Sequence, residues 1–135
     1  MHVHCIGIGG IGVSALARFH LSKGAAVSGS DLVASEITQA LAKQGATIVI
    51  GGHSALNVPQ TATRVIYTAA TPKTNPELKE AKRRKLETMT YAEAVGDLTR
   101  QFRTVTISGS HGKSTTTAIT SLIFRQAGLD PTVII

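Results

Sequence analysis

The chain has no tryptophan, and its 135 residues include only three phenylalanines and two tyrosines. It therefore lacks the aromatic platforms on which single-stranded nucleic acids stack. Its single cysteine, Cys5, excludes an internal disulfide; placed in an apolar run, it reads as a buried structural thiol rather than a nucleophile. No apolar stretch approaches the roughly 20 residues of a membrane span, so no membrane partner is expected. Met1-His2-Val3-His4 runs straight into a strand pattern without a basic leader or cleavage site, which suggests a cytoplasmic protein. Acidic residues are few, 8 against 14 Lys and Arg, giving a net charge of +6. That balance suits an anionic ligand such as a nucleotide. It also permits non-specific association with nucleic acid, but without stacking residues no nucleic-acid partner is expected. His2, His4 and His111 do not have metal-site spacing with a cysteine.

Glycine and apolar residues are plentiful. Thirteen glycines, 42% hydrophobic residues and 16% charge fit an α/β protein. The most informative stretch is Ser108-Gly109-Ser110-His111-Gly112-Lys113-Ser114-Thr115-Thr116. A β-like run, Thr104-Val105-Thr106-Ile107, precedes it and a helical pattern over 118–124 follows. Strand, glycine-bracketed loop with Lys-Ser, then helix is the layout of a phosphate-binding loop. Glycines let successive N–H groups point inward, and the helix N-terminus adds a positive dipole. Lys113 would reach a nucleotide's terminal phosphates, and the Ser114 hydroxyl would meet the accompanying Mg²⁺. The usual pattern has Gly where Ile107 stands, so the motif is the shorter G-x-x-G-K-S, which can also be a plain turn before a helix.

Upstream, Val3 to Ile8 reads as a strand buried on both faces. It runs into G-x-G-x-x-G at Gly7, Gly9 and Gly12; a helix then stops at Gly24, and a strand over 25–29 leads to Ser30-Asp31. Asp31 falls where dinucleotide folds place an acid against ribose hydroxyls, although a turn or cap residue would also be Asp. A helix over 37–43, a strand over 47–50 ending at Gly51-Gly52-His53, and a strand over 64–68 follow. Next come a helix begun by Pro76, a short strand over 86–89 and a helix over 91–99. The basic run Lys82-Arg83-Arg84-Lys85 reads as a solvated helix end. This alternation predicts an open, mainly parallel Rossmann-like sheet with ligands at the carboxyl ends of its strands. His53 and the loop containing Ala70 and Thr71 fall there. After a joint near 100–103 the β–α count restarts, with a further strand expected at Thr132-Val133-Ile134-Ile135.

The motifs His4 to Ala17, Val27-Ser28-Gly29-Ser30-Asp31, Asn75-Pro76-Glu77-Leu78 and Gly109 to Thr116 together resemble the Mur ligase family. Within it, the likeness is to members acting on UDP-N-acetylmuramate and L-alanine. The family's ATP motif usually reads G-T-H-G-K-T-T-T; Ser110 and Ser114 depart from it but keep a hydroxyl. The resemblance implies a three-domain enzyme of peptidoglycan precursor synthesis. Residues 1–99 would form its UDP-N-acetylmuramate-binding domain and 100–135 the incomplete start of its central ATP-binding domain, with the remaining ATPase and C-terminal domains missing. It further implies that ATP, with Mg²⁺, converts the substrate carboxylate to an acyl phosphate that L-alanine attacks, and that this piece alone is inactive. Gly9, Gly10, Ile11 and Gly12 would hold the UDP pyrophosphate, Asp31 would approach the uridine, and His53, Ala70 and Thr71 would line the cleft. Gly109, Ser110, His111, Gly112, Lys113, Ser114 and Thr115 would bind ATP, with Lys113 catalytic and Ser114 on Mg²⁺. The rival reading, a dinucleotide (NAD)-binding module of a dehydrogenase or regulator, accounts for the first 31 residues and leaves the loop at 109–114 unexplained.

Overall fold

Period-two alternation gives the first strand, β1 (His2–Ile6), two different faces: Val3 and Cys5 on one, His2, His4 and Ile6 on the other. A computed structural model, describing residues 1–134, places this strand at the centre of a five-stranded sheet. The others are β2 (Ala26–Asp31), β3 (Thr47–Ile50), β4 (Arg64–Tyr67) and β5 (Glu87–Thr90), in the order β3-β2-β1-β4-β5. Every pairing is parallel, with His4 beside Ser28 and Val65, as the sequence predicts for β–α alternation.

Helices α1 (Ile11–Ser22), α2 (Glu36–Lys43) and α4 (Tyr91–Gln101) pack with one face. Their shared core includes Val3, Cys5, Ile8, Leu16, Val27, Leu41, Ile66 and Ala94. Burial pushes the Cys5 thiol up to about 12, which fits the structural role expected of it. The other face is covered by α3 (Pro76–Arg83) and a 3-10 turn at Ala55–Asn57, around Ile6, Val58, Val65, Leu78 and Ala81. Local chemistry starts these helices. Ser35 and Thr90 each form a reciprocal capping box, with Thr38 and Glu93 respectively. Asn75 accepts from the N–H groups of Glu77 and Leu78, with Pro76 at the first helical position.

Two expected strands are corrected. Thr104-Val105-Thr106-Ile107 pairs with no strand among the described residues, and neither do residues 132–134; Ile135 lies outside the described residues. Their pattern favours extended backbone, but a strand is completed by a neighbour's ladder, and none stands beside them. The helix expected after the phosphate loop does form, as α5 (Lys113–Gln126). It buries none of its residues, and Ile119, Leu122 and Ile123 are exposed. No helix among the described residues is long and apolar enough to cross a membrane.

Candidate functional site

The connections from β1 and β4 leave in opposite directions, which opens a crevice between their carboxyl ends. A cavity of about 330 Å³ lies there, lined by Gly10–Val13, Thr68–Ala69 and Thr90–Ala92. Helix α1 starts at Gly10 with no side-chain cap, and its first residues line the cavity, so the positive end of the helix lies in the cavity wall. Gly12 is needed for close approach: a Cβ there would lie 2.7 Å from Cζ of Tyr91, which also lines the cavity. Gly12→Ala is expected to displace that ring, destabilise the fold by about 1–3 kcal/mol in urea unfolding and shrink the crevice.

Of the residues expected to bind the UDP-sugar, Gly10, Ile11 and Gly12 lie in this wall. Gly9 and Asp31 meet each other: the Gly9 N–H donates to Asp31 Oδ2 at 2.8 Å, and Val33 N–H to Oδ1 at 3.4 Å. Asp31 thus shapes the glycine turn as well as standing at the end of β2. Ala69 lines the cavity, whereas Ala70 and Thr71 occupy the turn just beyond, where Thr71 N–H donates to the Thr68 carbonyl at 3.0 Å. Thr90, Tyr91 and Ala92 were not foreseen, because their strand-to-helix junction reaches the crevice only through the β1–β4 pairing.

His53 stands apart from that cavity, in a loop after β3. Its Nδ1 is 3.1 Å from Ser30 Oγ and 3.0 Å from Glu77 Oε1. Glu77, fully buried, is the residue the sequence reading missed. Its Oε2 accepts from Ser30 Oγ at 2.6 Å and pairs with His4 Nε2 at 3.0 Å; its Oε1 also accepts from Asn57 Nδ2 at 2.8 Å. His4 Nδ1 continues to Ser28 Oγ at 2.9 Å, which meets His2 Nε2 at 3.0 Å. Burial drives the Glu77 carboxyl upward, but the hydrogen bonds from His4, Ser30, Asn57 and His53 outweigh it and hold the group down to about 2. One signal was present in the sequence: His2 and His4 on β1, Ser28 and Ser30 on β2, all at alternate positions that share one face of the sheet.

The loop expected to bind phosphate is exposed from Ser110 to Thr116. Gly112, at φ +74°, takes a left-handed conformation that suits glycine and caps α5 without a side chain. Lys113 Nζ donates to the Gly109 carbonyl at 2.8 Å, so the lysine lies folded over its own loop. The uncapped N-terminus, the glycine and the lysine fit a nucleotide phosphate; Ser114 and Thr115 follow in the first turn of α5. Among the described residues no cluster of His, Cys, Asp or Glu could hold a metal by itself.

The model of the Mur ligase family, catalytic domain, matches residues 2–103. A UDP-N-acetylmuramate–L-alanine ligase of Desulforapulum autotrophicum is 48% identical over 134 residues, 99% of this chain and 29% of its own. One from Salinibacter ruber is 46% identical, covering 98% and 28%. Among solved structures, the UDP-N-acetylmuramate–alanine ligase MurC of Thermotoga maritima superposes with a TM-score of 0.86 at 32% identity, over 95% of this chain and 30% of that one. A murein peptide ligase of Psychrobacter arcticus gives 0.84 at 25% identity, over 95% and 27%. The chain therefore spans somewhat under a third of the length of the relatives it matches, and it belongs to the Mur ligase family.

Proposed function

We propose that this chain supplies the UDP-N-acetylmuramate site and the ATP loop of a cytoplasmic ligase that joins L-alanine to UDP-N-acetylmuramate. The observation that carries this reading is the presence of two helix N-termini without side-chain caps, Gly10 on α1 and Gly112 on α5, in one chain. Each is an anion cradle, and a ligase that activates a sugar-nucleotide carboxylate needs two. The names of the curated relatives support the substrates.

Residues 1–99 would hold the sugar nucleotide, with its pyrophosphate on Gly10–Gly12 and its remainder toward Asp31, His53 and the Thr68–Thr71 turn. Residues 100–135 would open the ATP-binding domain. A carboxylate is a poor electrophile; ATP, with Mg²⁺, would supply the phosphoryl group that makes its oxygen a leaving group for the amine of L-alanine. Lys113 would exchange the Gly109 carbonyl for phosphate oxygens and offset their developing charge, the α5 N–H groups would orient them, and Ser114 would offer its hydroxyl to the ion.

Calorimetry tests the reading. The 135-residue chain is expected to bind UDP-N-acetylmuramate, to give no heat with NADH and to form no amide by itself. Binding of NADH in place of the sugar nucleotide would overturn it in favour of a dinucleotide module.

A further inference from the structure

We propose that Glu77 is a positioning residue of the sugar-nucleotide site: its buried carboxylate fixes His53 as the Nδ1–H tautomer, so that Nε2 accepts a hydrogen bond from an O–H or N–H donor of the ligand. The proposal rests on the reading above, which puts the sugar nucleotide at the carboxyl ends of β1 and β2, and it assigns a task to a residue outside both anion cradles.

The geometry is directional. Glu77 comes from α3, on the sheet face opposite α1, yet its carboxylate reaches Ser30 at the carboxyl end of β2, the neighbour of Asp31. A carboxylate only accepts, so the imidazole nitrogen facing it carries the proton. For His53 that nitrogen is Nδ1. Its Nε2 has no hydrogen-bond partner among the described residues, and the side chain is 22% exposed, enough to offer one ring edge outward. The same Oε1 accepts from Asn57 Nδ2 at 2.8 Å and from the Ser54 N–H at 3.4 Å, so one carboxylate anchors the whole turn after His53. On its other side Glu77 is locked by Ser30 and His4, and His4 in turn by Ser28, which leaves the carboxylate no alternative orientation. A partly exposed imidazole tied at one nitrogen to a buried carboxylate is the arrangement by which an orienting partner sets the hydrogen-bonding role of the other nitrogen.

The test is a double-mutant cycle read by calorimetry with UDP-N-acetylmuramate, on the 135-residue chain. Glu77→Gln and His53→Ala are each expected to weaken binding by about tenfold, and the double variant by no more than His53→Ala alone. Additive losses, about a hundredfold in the double variant, would mean that Glu77 acts on the fold and not through His53. ¹⁵N NMR of the histidine rings supplies a readout that does not depend on the variant folding. Wild-type His53 is expected to hold its proton on Nδ1, and its Nε2 resonance to move when the ligand is added; averaged tautomers, or an unmoved resonance at saturation, overturn the proposal. Wild-type chain that fails to bind the sugar nucleotide removes the functional reading and this one together. Normal binding undiminished by Glu77→Gln removes this one alone.

Discussion

Lys113→Ala is expected to lower ligation turnover by about 10³-fold or more, while leaving UDP-N-acetylmuramate affinity within about twofold. The protein to use is a chimera in which this chain replaces the matching 29% of the Desulforapulum autotrophicum relative, assayed for phosphate release that depends on both substrates. The size of the effect follows from what Lys113 touches. Its Nζ already spans the loop to the Gly109 carbonyl, on the segment proposed to take the phosphate oxygens. No other lysine or arginine stands in the loop from Ser108 to Thr117 to replace that charge. Lys113→Arg should not restore turnover, because a planar five-donor fork cannot take the place of a compact ammonium in a tight glycine loop. Sugar-nucleotide binding should survive, since the crevice walls come from α1, the Thr68–Ala69 turn and the start of α4. Loss of both properties together would contradict the division near residue 100.

The sheet was legible because its signals are local. Short runs such as those over 3–8 and 47–50, a glycine stop such as Gly24, and Pro76 in the first turn of its helix mark where elements begin and end. The parallel order followed from β–α alternation. The strand expected at 104–107 fails for the complementary reason, since hydrogen-bond partners distant in sequence leave no trace in a four-residue pattern. The place of Gly10, Ile11 and Gly12 in the crevice wall was legible because a glycine turn between a strand and its helix sits at the strand's carboxyl end. Glu77 was not found because an acidic residue in the first turn of a helix is ordinarily a solvated partner of the helix dipole. Here the Asn75 cap and Pro76 set the helix start so that this first-turn side chain points under the sheet, where His4 and Ser30 require an acceptor. A polar face on β1 and β2 was visible in the sequence; the residue that satisfies it, more than seventy positions away from His4, was not.

Glu77→Ala is expected to destabilise the chain by about 3–5 kcal/mol in urea unfolding at pH 7, and to remove much of the acid sensitivity of the wild type. The carboxyl ordinarily ionises near 4.5 and is held down to about 2 in the folded chain. Its folded value is the lower one, so its contribution is fully present above pH 4.5 and is lost as pH falls from there toward 2. Linkage makes that contribution on the order of 3 kcal/mol, a large share of the 5–15 kcal/mol that holds a domain of this size together. Truncation costs more than the ionisation alone, because it leaves the Ser30 hydroxyl, His4 Nε2 and Asn57 Nδ2 without their acceptor. Glu80 and Glu93 are also held below their ordinary value, by Arg83 and by the Thr90 N–H. Neither hydrogen-bonds to Glu77, and both keep their own partners in the variant, so subtracting the variant's pH profile from the wild type's removes their contribution. A difference that stays constant between pH 5 and pH 2.5 would mean that the buried acid is already protonated at neutral pH and donates one of these hydrogen bonds instead of accepting them all.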